Sequence, residues 1–254
     1  MSRGFRFIVA LLAVLAVGAA QRAAAEDRLS LPSRPGVTVA IWFQAAPAPV
    51  ASVVLFAGGN GAINAIPGNF LLRVRGSFAQ QGINVAAIDA PSDRGTADRP
   101  YRASADAAAD MAVVIAFLKQ KAAVPVWLVG TSNGSISAAN GAVRLGAAQI
   151  GGVVLTSSVW QGGMQQVPLA SIAVPVLVIH NRDDSCCISP PSAAEPAVAS
   201  MTSAPFKELV LVSGGALQSD PCEARSPHGY LGIENQVVPV MIQWIKTHGP
   251  SPTH

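Results

Sequence analysis

Seven short apolar runs recur along the chain, and most are separated by stretches with helical spacing. They cover residues 37–45, 51–59, 83–91, 124–130, 150–159, 174–180 and 206–215. Most are rich in Val, Ile or Leu, and too short and too continuous to be amphipathic helices. Such runs read as strands buried on both faces. Between them, "GNFLLRVRGSFAQQG" (68–82) carries apolar residues at helical spacing and stops at Gly82. "SADAAADMAVVIAFLKQK" (104–121) begins with Ser104 as a cap, with acids early and lysines late. Further helices are expected over 132–146, weakly over 192–204 with a break at Pro196, and over 234–248. Strands alternating with helices imply a largely parallel sheet covered on both faces. The runs at 37–45 and 51–59 are joined by a Pro-containing turn. No linker or internal repeat divides the chain, so residues 26–254 read as one domain, with the tail "GPSPTH" frayed.

Residues 1–25 are read separately. Arg3 and Arg6 precede the apolar run "FIVALLAVLAVGAA", and Ala23 and Ala25 form a small-x-small site. Basic start, apolar middle and small-residue end are the marks of a cleaved export signal, with cleavage between Ala25 and Glu26. The run is shorter than the roughly 20 apolar residues of a spanning helix. The expected location is therefore periplasmic or secreted, with no membrane association after cleavage. The net charge of +3 belongs to this segment. Without Arg3, Arg6 and Arg22 the chain has 14 bases against 14 acids. That balance gives no reason to expect a nucleic acid partner.

The run at 124–130 leads into "GTSNG", in which Ser132 lies between Gly130 and Gly134. Gly-x-Ser-x-Gly between a strand and a helix makes a sharp turn that lifts the serine oxygen above the sheet edge. Only small residues fit on either side. The following helix points its N–H groups toward the place where negative charge develops. A serine hydroxyl needs a base, and the base needs a carboxylate to orient it. Asp183 and Asp184 follow the run at 174–180, at the edge where parallel sheets bind ligands. Asp184 is preferred and Asp183 is the alternative. Of the four histidines, His228 alone lies in a loop after the last strand and before the last helix, completing the order serine, acid, histidine. His180 reads as structural.

Two N–H donors are needed for the oxyanion. Asn133 follows the serine directly, and Asn60 lies in the glycine-rich loop "GGNG" after an early strand. The Lys-Ser/Thr ending of a phosphate loop is absent there. Three cysteines, Cys186, Cys187 and Cys222, show no zinc-ligand spacing. A Cys186–Cys222 disulfide would tie the acid loop to the histidine loop. Cys187–Cys222 is the rival pairing, and a vicinal bond is disfavoured by geometry.

With "FAGGNG", "GTSNGS", "HNRDD" and "PHGY" in this order, the chain resembles the α/β-hydrolases, over residues 37–248. "HNRDDSC", Cys222 and "PHGYLGIE" resemble small exported bacterial members. Gly58-Gly59 stands where relatives often carry His-Gly. The resemblance implies a mostly parallel sheet of about eight strands with helices on both faces. Residues 160–173 are too short a connection for a helical lid, so no cap domain is expected and the site is open. Trp160, at the end of a strand, is a candidate for lining the acyl or alcohol pocket. The implied activity is ester hydrolysis through an acyl-enzyme, on a small-molecule ester and without metal or organic cofactor. A peptidase or amidase is the alternative on the same triad. A binding protein on this scaffold fits less well, because serine, acid, histidine and donor loop are all present. Only 6% of residues are aromatic, which disfavours a polymer-degrading esterase.

Overall fold

A computed structural model describes residues 25–66 and 68–249. The expected leader over 1–25 lies outside the described residues except for Ala25, as do residues 250–254 of the expected frayed tail. Eight strands form one sheet: β1 (Asp27–Pro32), β2 (Thr38–Gln44), β3 (Ala51–Phe56), β4 (Ile83–Ile88), β5 (Val126–Thr131), β6 (Gly152–Thr156), β7 (Val176–Asn181) and β8 (Lys207–Val212). Their order is β1-β2-β4-β3-β5-β6-β7-β8. All pairings from β4 through β8 are parallel, and β1 and β2 add antiparallel at one edge. The strands β2 and β3, joined by a Pro-containing turn, are not neighbours, because β4 pairs between them.

The helices are α1 (Phe70–Gln80), α2 (Arg99–Arg102), α3 (Ala105–Lys121), α4 (Gly134–Gln149), α5 (Ala194–Ser200) and α6 (Glu234–His248). Successive strand side chains point to opposite faces, which builds two cores. Val54, Phe56, Leu128, Val153 and Leu155 pack with residues of α3, α4 and α5 such as Met111, Ile136 and Ala194. Val53, Leu55, Trp127, Val129 and Val154 pack with residues of α1 and α6 such as Phe78 and Met241. All ten of these strand residues are buried, which is why their sequence shows no polar alternation. Ser104 caps α3 by accepting from the Ala107 N–H. Gly146, the expected helix end, takes a non-helical conformation inside α4. Pro196 does not break α5, because it occupies the first turn, where no intrahelical N–H is required.

Two elements were not expected from sequence. β1 is a polar edge strand, and its Arg28 lies 4.8 Å over the Trp42 ring of β2. α2 sits inside the stretch 91–104, which reads as loop; Asp98 caps it by accepting from the Tyr101 N–H. Fully buried Asp110 of α3 anchors both ends of this region. It accepts from Tyr101 Oη at 2.8 Å, from Arg34 Nε at 2.9 Å and Nη2 at 3.0 Å, and from Ser33 Oγ. No helix among the described residues is long and apolar enough to cross a membrane.

Candidate active site

Ser132 follows β5 directly and Asn133 precedes α4, so two residues turn the chain from sheet to helix. The turn is tight enough to force Ser132 to φ 52°, a conformation seldom adopted outside glycine. A Cβ at Gly130 would fall on the backbone of Gly134, and a Cβ at Gly134 on the carbonyl of Phe56. Both positions therefore require glycine. The loop after β3 approaches from the other side, and a Cβ at Gly58 would lie 2.8 Å from Ser132 Cβ.

His228 sits in a single 3₁₀ turn, Pro227–Gly229, before α6. Its Nδ1 donates to Asp184 Oδ2 at 2.8 Å, and both side chains are buried. The second carboxylate oxygen, Oδ1, accepts from the Cys186 N–H at 2.9 Å. Asp184 is thus the acid that reaches His228. Asp183 turns away and accepts from the Gly214 N–H at 2.6 Å, closing the loop after β8.

The ends of β6 and β7 fix the histidine turn from below. Ser157 Oγ donates to the His228 carbonyl at 2.7 Å, and Asn181 Nδ2 to the Pro227 carbonyl at 3.0 Å. Tyr230, fully buried, donates to the Ile179 carbonyl at 2.8 Å and accepts from the Ser157 N–H at 3.0 Å. Burial pushes its phenol well above the usual tyrosine range, so it remains a donor. From α1, Arg73 donates to the Gly229 carbonyl at 2.8 Å and the Ala224 carbonyl at 3.1 Å, while pairing with Glu234 at 2.7 Å.

Ser132, Asn133 and His228 line one cavity of about 490 Å³. His228 Nε2 is buried and has no hydrogen-bond partner, and no hydrogen bond joins it to Ser132 Oγ. The serine and histidine are thus brought to one cavity without being bonded, while the histidine and acid are bonded directly. Ile66, Phe70 and Ile188 supply apolar wall, and Glu223 and Arg225 add charge from the segment before His228. Sequence spacing alone did not single out Ile66, Phe70 or Ile188, because they read as ordinary apolar positions.

Cys186 and Cys222 form a disulfide with Cα atoms 4.6 Å apart, and Cys187 is a free, exposed thiol. Cys222 also lines the cavity. Donor atoms of Asp184, Cys186 and His228 converge within 4.8 Å, yet Cys186 Sγ is committed to the disulfide and His228 Nδ1 to Asp184. That donor set does not fit a three-ligand metal site.

Two expected positions fall elsewhere. Asn60 is exposed, and Gly59 takes the place on the cavity wall. The left-handed turn at Gly59 (φ 57°) swings Asn60 toward the segment before α2, where its carbonyl accepts from the Ala97 N–H at 2.7 Å. Trp160 does not line the Ser132 cavity. The chain bends at Ser157 (φ 40°) after β6, and the indole enters the core with Met164 and Val167. It stacks on His180 at 6.4 Å and borders a separate cavity. His180 is fully buried, with Nε2 3.0 Å from the Ser189 carbonyl and 3.6 Å from Asp184 Oδ2. Desolvation lowers its pKa below the ordinary histidine value, with the nearby Asp184 opposing and His228 reinforcing the shift. The β6–β7 connection contains only two short 3₁₀ turns, Met164–Gln166 and Leu169–Ser171, so no lid covers the cavity.

No protein-family model matches the chain, and no curated protein does. Solved structures do. An α/β serine hydrolase without lid from Xanthomonas campestris superposes with a TM-score of 0.63 at 14% identity, over 90% of this chain and 96% of that one. A dienelactone hydrolase from Anabaena variabilis gives 0.68 at 16% identity, over 91% and 100%. An esterase from Pyrococcus furiosus gives 0.68 at 13% identity, over 89% and 92%. The chain has the α/β-hydrolase fold, without a cap domain.

Proposed function

We propose that this protein is a serine-dependent hydrolase that cleaves small carboxylic esters through an acyl-enzyme. The observation that carries the reading is the buried Asp184–His228 pair, whose unpartnered Nε2 belongs to a residue sharing its cavity with Ser132 on a strained turn. With Nδ1–H held by Asp184, Nε2 is the basic nitrogen and takes the Ser132 proton as Oγ attacks the carbonyl carbon. The resulting oxyanion accepts from the backbone N–H groups of Asn133 and Gly59. Gly59 replaces Asn60 in this role because it lines the cavity. The imidazolium then protonates the leaving alcohol as the carbonyl reforms. Water, deprotonated by His228, attacks the acyl-enzyme and releases the acid and Ser132.

The esterases and the dienelactone hydrolase among the similar folds favour ester over amide substrates. An open, partly apolar cavity of about 490 Å³ suits a small ester. We further propose that residues 1–25 export the chain. A disulfide beside the site supports an oxidising compartment.

The test is hydrolysis of 4-nitrophenyl esters of increasing acyl length by mature protein, beside Ser132→Ala and matched anilides. Ester turnover that vanishes in Ser132→Ala supports the reading. Equal turnover in both proteins removes Ser132 as nucleophile, and anilide turnover above ester turnover moves the activity to amides. Sequencing the N-terminus of exported protein tests the leader: Glu26 is expected, and a retained Met1 contradicts it.

A further inference from the structure

The short helix α2 approaches the reacting centre without lining its cavity. Arg99 Nε donates to the side-chain oxygen of Asn133 at 2.9 Å, and Nη1 donates to the Gly162 carbonyl at 3.0 Å. Asn133 in turn donates its Nδ2 to the Gly59 carbonyl at 3.0 Å. The Asn133 side chain therefore bridges the two residues whose backbone N–H groups face the oxyanion in the proposed mechanism.

Arg99 is seated, not merely nearby. Gly162 and Gly163 lie against it, and a Cβ there would come within 2.8 Å of Nη1 and 3.2 Å of Cδ. No carboxylate among the described residues pairs with Arg99, so its hydrogen bonds go to the amide and the carbonyl.

Three residues further, Arg102 is buried and donates to Ala97 O at 2.7 Å, Ala57 O at 3.1 Å and Ser137 Oγ at 3.1 Å. Burial brings this guanidinium down to about 10, against the opposing charges of Tyr101 and Asp98. A Cβ at Gly61 would collide with it. Ala97 N–H holds the Asn60 carbonyl, and Tyr101 anchors the helix to buried Asp110.

We infer that α2 is a positioning element for the oxyanion site. Arg99 acts through the Asn133 side chain to set the separation and direction of the Asn133 and Gly59 N–H donors, and Arg102 holds the β3 loop beneath them. The inference rests on the proposed serine mechanism. Neither arginine touches substrate. Backbone donors on two separate loops have no covalent reason to stay in register, and stabilisation of a developing oxyanion depends steeply on that register.

The test is a cycle of Arg99→Met, Asn133→Ala and the double variant, with Arg99→Lys as a fourth protein. The readouts are kcat and KM on the best 4-nitrophenyl ester, the rate of covalent labelling by a fluorophosphonate, and thermal melting. Met keeps the apolar stem on Gly162–Gly163 and removes the donors. The expected loss in Arg99→Met is about 10- to 100-fold in kcat, with KM within about twofold and labelling slowed in parallel. The double variant should lose no more than Asn133→Ala alone, since Arg99 acts through that amide. Lys keeps the charge and should recover part of the rate even if Met lowers the melting temperature.

Unchanged kcat in folded Arg99→Met, or losses that multiply in the double variant, would overturn the inference. A rise in KM at constant kcat would do so too, because it would make Arg99 a substrate contact. Wild-type protein that neither hydrolyses esters nor labels on Ser132 would instead sink the serine mechanism, and this inference with it.

Discussion

Tyr230→Phe removes one oxygen from the support beneath His228 and leaves the ring in place. The ring packs on Phe70 at a centroid distance of 4.8 Å, and that contact survives. What disappears is a buried hydroxyl that donates to Ile179 O at 2.8 Å and accepts from the Ser157 N–H at 3.0 Å. Two buried groups left bare would cost about 1–3 kcal/mol each. Here they are not bare, because the Ser157 N–H also reaches Ile179 O at 3.1 Å. The loss is then that of two ordinary buried hydrogen bonds, about 2 kcal/mol. For a domain of this size that lowers Tm by about 4–8 °C.

Activity should follow stability only weakly, since Ser157 Oγ still donates to the His228 carbonyl. Ser157→Ala should reverse the balance, with a smaller drop in Tm and a larger drop in kcat. The assay is thermal melting of both variants by circular dichroism, with ester turnover measured well below Tm. A Tyr230→Phe protein melting within about 1 °C of wild type would refute the hydroxyl bridge on which this estimate rests.

Asp184→Asn should cut kcat by about 10³- to 10⁴-fold in ester turnover, because the amide cannot hold the required tautomer of His228. Asp183→Asn should stay within about threefold, as it meets only the Gly214 N–H, and a loss there matching Asp184→Asn would reassign the acid. Cys222→Ser opens a bridge spanning a sequence separation of 36 residues and should cost about 4 kcal/mol, with lower turnover because Cys222 lines the cavity. Cys187→Ser should melt and turn over like wild type, since Cys187 is a free thiol at the surface.

His180 is held neutral by burial, so the unfolded chain takes up its proton first as pH falls. Its contribution to stability is therefore complete above the ordinary histidine value of about 6.5 and is lost as pH drops from there toward the lower folded value. Asp184 and His228 are the titratable groups facing it. Melting temperature between pH 7.5 and 5.5 should fall less steeply in His180→Gln than in wild type, and equal slopes would contradict that assignment.

The sheet was legible because its inner strands are buried on both faces. Each of the seven apolar runs contains all or nearly all of a strand, with bounds that differ by a few residues at the ends. β1 was not legible, because its alternation rests on only two leucines, Leu29 and Leu31, in the six-residue stretch "DRLSLP". α2 was hidden for another reason. Four residues cannot establish a period, and its only local signal is the Asp98 cap followed by Pro100.

The turn at Ser132 and the choice of Asp184 and His228 rest on spacing and strand-end placement, and the structure brings Asp184 and His228 together and puts Ser132 on the same cavity. Asn60, expected beside the site, lies one residue beyond the cavity wall, because the chain turns through a positive φ at Gly59, which lines the cavity instead. Trp160 was misplaced because a strand-end aromatic can turn up to the cavity or down to the core. That choice depends on the bend at Ser157, which neighbouring letters do not encode.

The most direct measurement of the central claim is reaction of mature protein with a fluorophosphonate, followed by intact mass and peptide mapping, with His228→Ala alongside. One adduct per chain, located on Ser132 and strongly slowed in His228→Ala, is the expected result. An unmodified Ser132, or labelling at the same rate without His228, would contradict the account.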